Sequence, residues 1–519
     1  MKKITALLLA LIMALSLVAC GSGGETSSAP GTETDPAERT YKETLNVVVA
    51  AEPTSLDGLY ARNAVSVTAN QMLYDYLVYL DTNTGDVSPM LAESWEYTSD
   101  TEITFHLRQD VVFHNGQKMT ADDVVYSMTR VRDLGQVTWA SGFMDEIKKI
   151  NDYTVSISFL SPCSSTVSQF GRPGANIVCA AAVEADPDAF KTTSPVGTGP
   201  YKLVEWNQGN YIKLERNEDY WGTLPTQKYI LIRIVPESSQ RLIALENGEA
   251  DIAYDIAASD VAKVESNPDL RALVCSDSAN IIYLSCNTKS NTPLANKTVR
   301  QAIQYAIDKD ALNLACTEGY GKVAYSVISP GVVGFQDTIK SEYNVEKAKE
   351  LLAQAGYPDG FTIDCYGYTN QTQQLAVQIL ENMLSEVGIT LNINTVDYAT
   401  LLTYKIADDH QMFITNWFTM GDAYWTFNPF FSSTSNAAEG NDAFYSNPEL
   451  DELVAVVKSS FDEAERDKAF TRLYEIIAED LPYIPLFTSP YICATSANVE
   501  NFNMSITGYH RLDTVYAYN

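Results

Sequence analysis

The chain has 519 residues, with 66 Asp and Glu against 35 Lys and Arg, a formal net charge of −31 and 45% hydrophobic residues. So large an acidic excess argues against nucleic acid as a partner, and against an anionic lipid surface gripped by a basic patch. A single hydrophobic core stops growing at about 250 to 300 residues, so this length predicts two or more domains.

The N-terminus reads MKKITALLLALIMALSLVACGSGG, with Lys2 and Lys3 ahead of an apolar run over 4–19. That run is shorter than the roughly 20 residues of a membrane-spanning helix, so residues 1–19 are predicted to be a signal peptide. Leu17-Val18-Ala19-Cys20 is similar to a lipobox, which makes Cys20 a lipidation site and places the exported protein on the outer face of the cell membrane, or its periplasmic side. A plain secretory signal is the alternative. Two glycerol-linked chains on one cysteine anchor stably where a single acyl chain does not. Residues 21–42 are rich in Gly, Ser, Thr, Pro and Glu, so 20–42 is predicted to be the lipid anchor and a flexible linker.

From there strands and helices alternate to the end, the pattern of an α/β protein. TLNVVVAAEP (44–53) is an opening strand stopped by Pro53, and EITFHLRQDVVFHNG (102–116) alternates like a strand pair with a turn at Asn115-Gly116. Thr120 and Asp123 have capping-box spacing at the head of TADDVVYSMTRVRD, with acids in the first helical turn. DYTVSISFL (152–160) is another alternating strand. NVEKAKELLAQAG (344–356) and QQLAVQILENMLSEVG (373–388) are helices ending at Gly356 and Gly388, and ITLNINTV follows the second as a strand.

The segment NWFTMGDAYWTFNPFF (416–431) sets seven aromatic residues around a single acid, Asp422. Two readings compete: a buried turn whose acid caps a helix or satisfies backbone N–H groups, and a ligand pocket whose anion awaits a cation. Seven cysteines lie beyond Cys20, an odd number without a CxxC pair, which disfavours zinc and allows one or two disulfides, Cys163 to Cys179 being one pairing. His106 and His114 lack clustered metal-ligand partners in the sequence and read as surface or packing residues, so no metal and no cofactor is expected. No GxSxG, HExxH or GxxxxGK[ST] motif is present. The absence of these motifs disfavours an enzyme, with an exported glycosidase as the remote alternative.

Six separated blocks resemble one family. MLAESWEYTSDTEITFHLRQDVVFHNGQKMTADDVVYSMTR (90–130) and GTGPYKLVEWNQGNYIKLERNEDYWG (197–222) are the longest. ALENGEADIA (244–253), LSCNTKSNTPLANKTVRQAIQYAIDKDAL (284–312), EKAKELLAQAGYPDGF (346–361) and ERDKAFTRLYEIIAEDLPYIPLF (465–487) complete the set. Together they are similar to the solute-binding proteins of peptide and nickel ABC transporters, extracellular solute-binding protein family 5. The resemblance implies a type II periplasmic-binding-protein fold of the large peptide-binding class, with two α/β lobes, mixed sheets and two hinge crossings. Lobe I is then 43–283 with an extra subdomain at about 84–193, lobe II is 284–488, and 489–519 returns to lobe I. The crossings are expected near 280–288 and 483–492.

For function, the resemblance implies a monomeric receptor that captures a short peptide between closing lobes and delivers it to the ABC permease and ATPase subunits of an importer. In peptide-binding members an acid after a glycine, ahead of Pro and aromatics, pairs with the ligand's amine. That role falls here on Asp422, with Gly421, Met420, Thr419 and Trp417 offering backbone to an added peptide strand. Trp425 and Phe427 are expected to line side-chain pockets, and Tyr60 to contribute from lobe I. Asn428 and the inserted Trp425-Thr426-Phe427 depart from the peptide-binding pattern, so a nickel complex, an organic amine or a glycoside stays open as the ligand.

Overall fold

A computed structural model describes residues 40–134, 143–289, 292–337, 339–340, 342–368 and 370–519. The predicted signal peptide, Cys20 and most of the linker fall outside the described residues. Tyr41 and Lys42, assigned to the linker by composition, belong to the folded body. Tyr41 bridges Tyr518, and the Lys42 ammonium meets the buried Asp251 carboxylate at 2.5 Å.

The body, Tyr41–Asn519, is built on two large mixed sheets and a smaller antiparallel one. In chain order, β1 (Thr44–Val49) opens the first sheet, and a hairpin of β2 (Val78–Leu80) and β3 (Val87–Pro89) follows. Next come β4 (Ala92–Ser99), β5 (Glu102–Leu107), β6 (Met144–Asn151) and β7 (Thr154–Phe159), a four-stranded sheet in the order β4-β5-β7-β6. The chain then returns to the first sheet with β8 (Tyr201–Asn207), β9 (Tyr211–Arg216), β10 (Tyr229–Ile234), β11 (Ile252–Ala253) and β12 (Leu270–Cys275). The second large sheet takes β13 (Asn280–Cys286), β14 (Phe361–Tyr368), β15 (Ile389–Val396), β16 (Met412–Phe418) and β17 (Tyr483–Thr488), and β18 (Tyr491–Ser496) rejoins the first.

The first sheet runs β12-β18-β11-β1-β10-β9-β8, with β1 parallel to both β10 and β11. The second runs β15-β14-β16-β13-β17. The chain passes between the large sheets twice, at 276–279 and at 489–490, and the two passages hold each other. Thr488 Oγ1 donates to Ser276 O at 2.6 Å, Ser278 Oγ to Ser489 O at 2.5 Å, and Ser489 N to Asn280 O at 2.9 Å.

Each sheet carries its own apolar cluster, with period-2 burial in strands such as β5 and β9 and burial on both faces in β13 and β17. Val47, Val49, Ile212, Leu214, Ile230 and Ile232 centre the first, and Ile103, Phe105, Val155 and Ile157 the four-stranded sheet. Leu284, Ile363, Ile414, Ile484 and Leu486 centre the second. Predicted local signals match the elements well. Thr120 N donates to Asp123 Oδ2 at the head of the helix Ala121–Asp133, and the helices Val345–Gln354 and Gln371–Ser385 lead to left-handed Gly356 (φ +93°) and Gly388 (φ +87°).

The segment 102–116 differs from its reading as a strand pair. Only β5 is regular, and its partners are β4 and β7, while Val111 and Phe113 leave the sheet to fill its core. Asn115 and Gly116 do form the turn, closed by the bridge from Val112 to Lys118, with Gly116 at φ +82°. His114 accepts from Gly197 N through Nδ1 and meets Gly199 O through Nε2, and burial lowers its pKa to about 4. Among the described residues all seven cysteines are free thiols. The Cys163 to Cys179 disulfide does not form, because the two side chains belong to different apolar clusters.

Candidate functional site

The aromatic segment 416–431 joins the end of β16 to the helix Tyr424–Phe431. Thr415, Trp417 and Phe418 suit a strand, and β16 pairs with β13 along its whole length, from Met412↔Cys286 to Phe418↔Asn280. Its other neighbour is β14, which pairs with β16 at Cys365↔Met412 and Tyr366↔Phe413, and among the described residues Trp417 and Phe418, at the far end of the strand, have no ladder partner on that side. Such an edge offers backbone N–H and C=O groups to an extended peptide.

Side chains flank this edge. Asn416 donates to Asn280 Oδ1 at 2.8 Å and accepts from Gln373 Nε2 at 3.3 Å. Trp417 is half-buried, its Nε1 donates to Thr426 Oγ1 at 2.8 Å, and its ring centroid lies 4.6 Å from that of Phe430. Phe418 reaches away from the second sheet to Tyr509, at 5.5 Å between ring centroids. Tyr509 follows β18, so this contact joins the end of the second sheet to the chain that has rejoined the first.

The turn after β16 is buried. Gly421 has φ +74°, where a side chain would be strained, and an added Cβ would sit 3.3 Å from Ser168 Oγ. Its carbonyl accepts from Val333 N at 2.9 Å, and Ala423 N returns a bond to Val333 O at 2.8 Å. Met420 and Thr419 are buried, and the Thr419 hydroxyl meets that of Thr426 at 2.7 Å.

Asp422 has a cation of its own. Its Oδ2 accepts from Arg466 Nη2 at 2.5 Å, its Oδ1 accepts from Tyr424 N at 2.9 Å, and only 4% of the residue is exposed. Burial raises its pKa and the adjacent guanidinium opposes that rise. The sequence suggested a free carboxylate awaiting a ligand amine. What the fold builds is an internal ion pair whose acid also holds the first turn of Tyr424–Phe431. Arg466 lies 44 residues away and was invisible as a partner.

The expected pocket aromatics separate. Phe427 is fully buried, within 6 Å of Phe431, Phe470 and Tyr474 between ring centroids, so it is core of the second sheet's cluster. Trp425 is half-buried and packs against both that cluster and the four-stranded sheet's, reaching Phe143 at 6.0 Å. Its indole Nε1 is buried and finds no acceptor among the described residues. Tyr60 stands apart, under the Lys191 ammonium at 4.9 Å, where it lines a wide open depression with Thr54, Asp186 and Asp188.

Two features beside the β16 edge had been missed. A cavity of about 250 Å³ is lined by Gln71, Tyr79, Leu80, Ser505, Tyr509, His510 and Arg511, among others. Both ring nitrogens of His510 and the Gln71 amide oxygen are buried without a hydrogen bond, and burial lowers the His510 pKa to about 4. Arg172, half-buried next to this cavity, has no carboxylate partner among the described residues. Its one sequence signal is isolation, as the only base between Lys149 and Lys191.

Comparison with known proteins agrees with this architecture. The family model described as Bacterial extracellular solute-binding proteins, family 5 Middle, matches residues 86–438. Glutathione-binding protein GsiB of Pectobacterium atrosepticum is 30% identical over 485 residues, covering 91% of this chain and 92% of that one. The structure of HbpA2 from Haemophilus parasuis superposes with a TM-score of 0.83 at 26% identity, covering 91% of this chain and 99% of the other. DppA from Helicobacter pylori, in complex with the peptide STSA, gives a TM-score of 0.78 at 26% identity over 93% and 99% of the two chains. The chain belongs to the family 5 bacterial extracellular solute-binding proteins and has their two-lobed periplasmic-binding-protein fold. Of these, GsiB is a glutathione-binding protein and DppA an ABC transporter-associated periplasmic binding protein, and among the described residues no helix of this chain is long and apolar enough to cross a membrane.

Proposed function

We propose that this chain is the lipid-anchored receptor of an ABC importer for short peptides, held at the membrane through Cys20 and working as a monomer with a permease and an ATPase. The observation that carries the ligand class is the end of β16, where half-buried Trp417 and Phe418 have no ladder partner on the β14 side among the described residues. A peptide added there is gripped through its main chain, which every peptide shares, so affinity needs no fixed sequence. The similarity to a glutathione-binding protein and to a peptide-bound DppA supports the same class, since glutathione is itself a modified tripeptide.

In this reading the two large sheets are lobes I and II, with their limits at the passages 276–279 and 489–490. Phe418 and Tyr509 meet across the line where they close. A ligand touching both sides stabilises the closed arrangement by its differential contacts. Trp417 presents the ligand edge, Thr419, Met420 and Gly421 form the buried turn that ends it, and Trp425 seals one end. Asp422 serves from behind, its pairing with Arg466 fixing the turn that ends the edge. Phe427 supports that turn from the core, and Tyr60 lies outside the contact.

Calorimetric titration with di- to pentapeptides and glutathione, followed in parallel by tryptophan fluorescence, tests the reading. Micromolar or tighter binding with a change in the Trp417 signal is expected. Tight binding of an organic amine, a nickel complex or a glycoside with no peptide binding would replace the ligand class and keep the receptor. Globomycin-sensitive processing and labelled acyl incorporation at Cys20 test the anchor, and a Cys20→Ser protein released from the membrane is the expected result.

A further inference from the structure

Lys458 lies at the C-terminal end of the helix Pro448–Ser459, whose Leu450, Val454 and Val457 belong to the second sheet's apolar cluster. The last carbonyls of a helix have no partner within it and must find one outside. Two of them are served from the same side of the molecule, Val456 O by Ser460 N at 2.9 Å and Val457 O by Arg466 Nε at 3.0 Å. Lys458 O is served from the four-stranded sheet's side instead, by Ser164 N at 2.8 Å and Ser164 Oγ at 3.3 Å. The ammonium of the same lysine donates to Ser161 Oγ at 2.7 Å and stands 5.8 Å over the Phe143 ring. Three residues on, Phe461 meets the Tyr97 ring of β4 edge-on at 4.9 Å, and the Tyr97 hydroxyl donates to Ser164 O at 3.2 Å.

Cys163 crosses the same seam. It follows β7 in the chain, yet its side chain is 2% exposed within the second sheet's apolar cluster. Burial raises its thiol pKa, and the nearby Asp422 carboxylate adds to the rise. Alongside, Gly331 brings its backbone onto the turn between β2 and β3, where an added Cβ would be 2.4 Å from Asn83 O. The polar contacts are of a kind that can part: Ser161, Ser164 and Lys458 are half-buried and Phe461 is 45% exposed, so water can replace each bond with little net change. Burial of Cys163 and Phe143 favours the joined state. Trp417 and Phe418, the ligand edge, take no part in these contacts, and Phe143 stands between them and Trp425.

We infer that the segment 161–165, with Tyr97, Lys458 and Phe461, is a clasp that holds the two lobes together without a ligand, at a seam the ligand does not occupy, and that its parting governs solute release. The inference rests on the two-lobe reading above and goes beyond it: there the ligand's contacts stabilise closure, and here the protein's own contacts do.

The test uses protein freed of co-purified solute by unfolding in urea and refolding. Pulse alkylation with N-ethylmaleimide, read at each cysteine by peptide mass spectrometry, follows opening through Cys163. In ligand-free wild type, Cys163 should react at least about 100-fold more slowly than in the urea-unfolded chain. Lys458→Met, which keeps an apolar stem over Phe143, and Phe461→Ala should each raise the Cys163 rate about 5-fold, and together about 20-fold. Cys286 and Cys365, buried in the second sheet's own core, should stay as protected as in wild type. With a peptide that calorimetry shows to bind, the double variant should also release it several-fold faster in a stopped-flow chase.

A Cys163 rate in ligand-free wild type equal to that of the unfolded chain overturns the clasp, because the lobes then part freely without a ligand. Equal Cys163 rates in wild type and the variants overturn it too, as does an unchanged release rate. A rise shared by Cys286 and Cys365 in both single variants marks unfolding and not opening, and gives these residues a structural role only. Should no peptide bind, the peptide reading fails on its own while the ligand-free rates still decide the clasp.

Discussion

Asp422 follows β16 of the second large sheet and Arg172 follows the four-stranded sheet, and the two charges differ in partner. Asp422 is 4% exposed and neutralised from within by Arg466. Arg172 is half-buried and, among the described residues, donates to the Gln169 amide oxygen. The acid was conspicuous in the sequence because aromatics surround it, and the base was not. The contrast teaches that a charged residue's role in a binding protein is decided by what the fold leaves unpaired.

The largest effect that could break this contrast is on stability. Asp422→Ala strands Arg466 in a dry site and should destabilise the protein by about 3 to 5 kcal/mol in urea unfolding, as breaking a buried pair generally does. Arg172→Gln should show no such loss, and equal losses from both would erase the distinction. Phe427→Ala, which empties a fully buried ring site, should cost about 3 to 5 kcal/mol while leaving ligand affinity per folded molecule unchanged. A selective fall in affinity would return Phe427 to the cleft.

A smaller effect sharpens the same idea for histidine. His114 is held neutral, with a folded pKa of about 4 against 6.5 for the free side chain. The unfolded chain takes up this proton first, so the stability His114 contributes is complete above pH 6.5 and is lost as pH falls toward 4. The wild-type slope should exceed that of His114→Gln by about 1.4 kcal/mol per pH unit within that window. Smallest is the cap of the helix Pro448–Ser459, where Asn447 accepts from Glu449 N and Leu450 N. Asn447→Ala should cost about 1 kcal/mol, and a much larger loss would show that caps outweigh buried pairs here.

The fold was largely legible because its signals are local. The Thr120 capping spacing, the glycines ending helices at Gly356 and Gly388, and the strand 389–396 are each written in fewer than a dozen residues, and the family blocks supplied their order. The segment 102–116 misled because Val111 and Phe113 alternate like a strand yet are held by the core and not by a ladder. The site was less legible because its chemistry is non-local. Asp422 meets Arg466 across 44 residues, and Arg172 adjoins Tyr509 across more than 300. No spacing rule reaches that far. The end of β16 at Trp417 and Phe418 lies beyond the residues that β14 pairs with, which is a fact of register and not of composition.

Hydrogen–deuterium exchange of the β16 amides, with and without a peptide shown by calorimetry to bind, tests the central claim most directly. The account predicts strong ligand-dependent protection at Trp417 and Phe418, with the buried turn at Asp422 protected in both states. Unchanged exchange at Trp417 and Phe418 in the peptide complex, with protection appearing elsewhere, would contradict it.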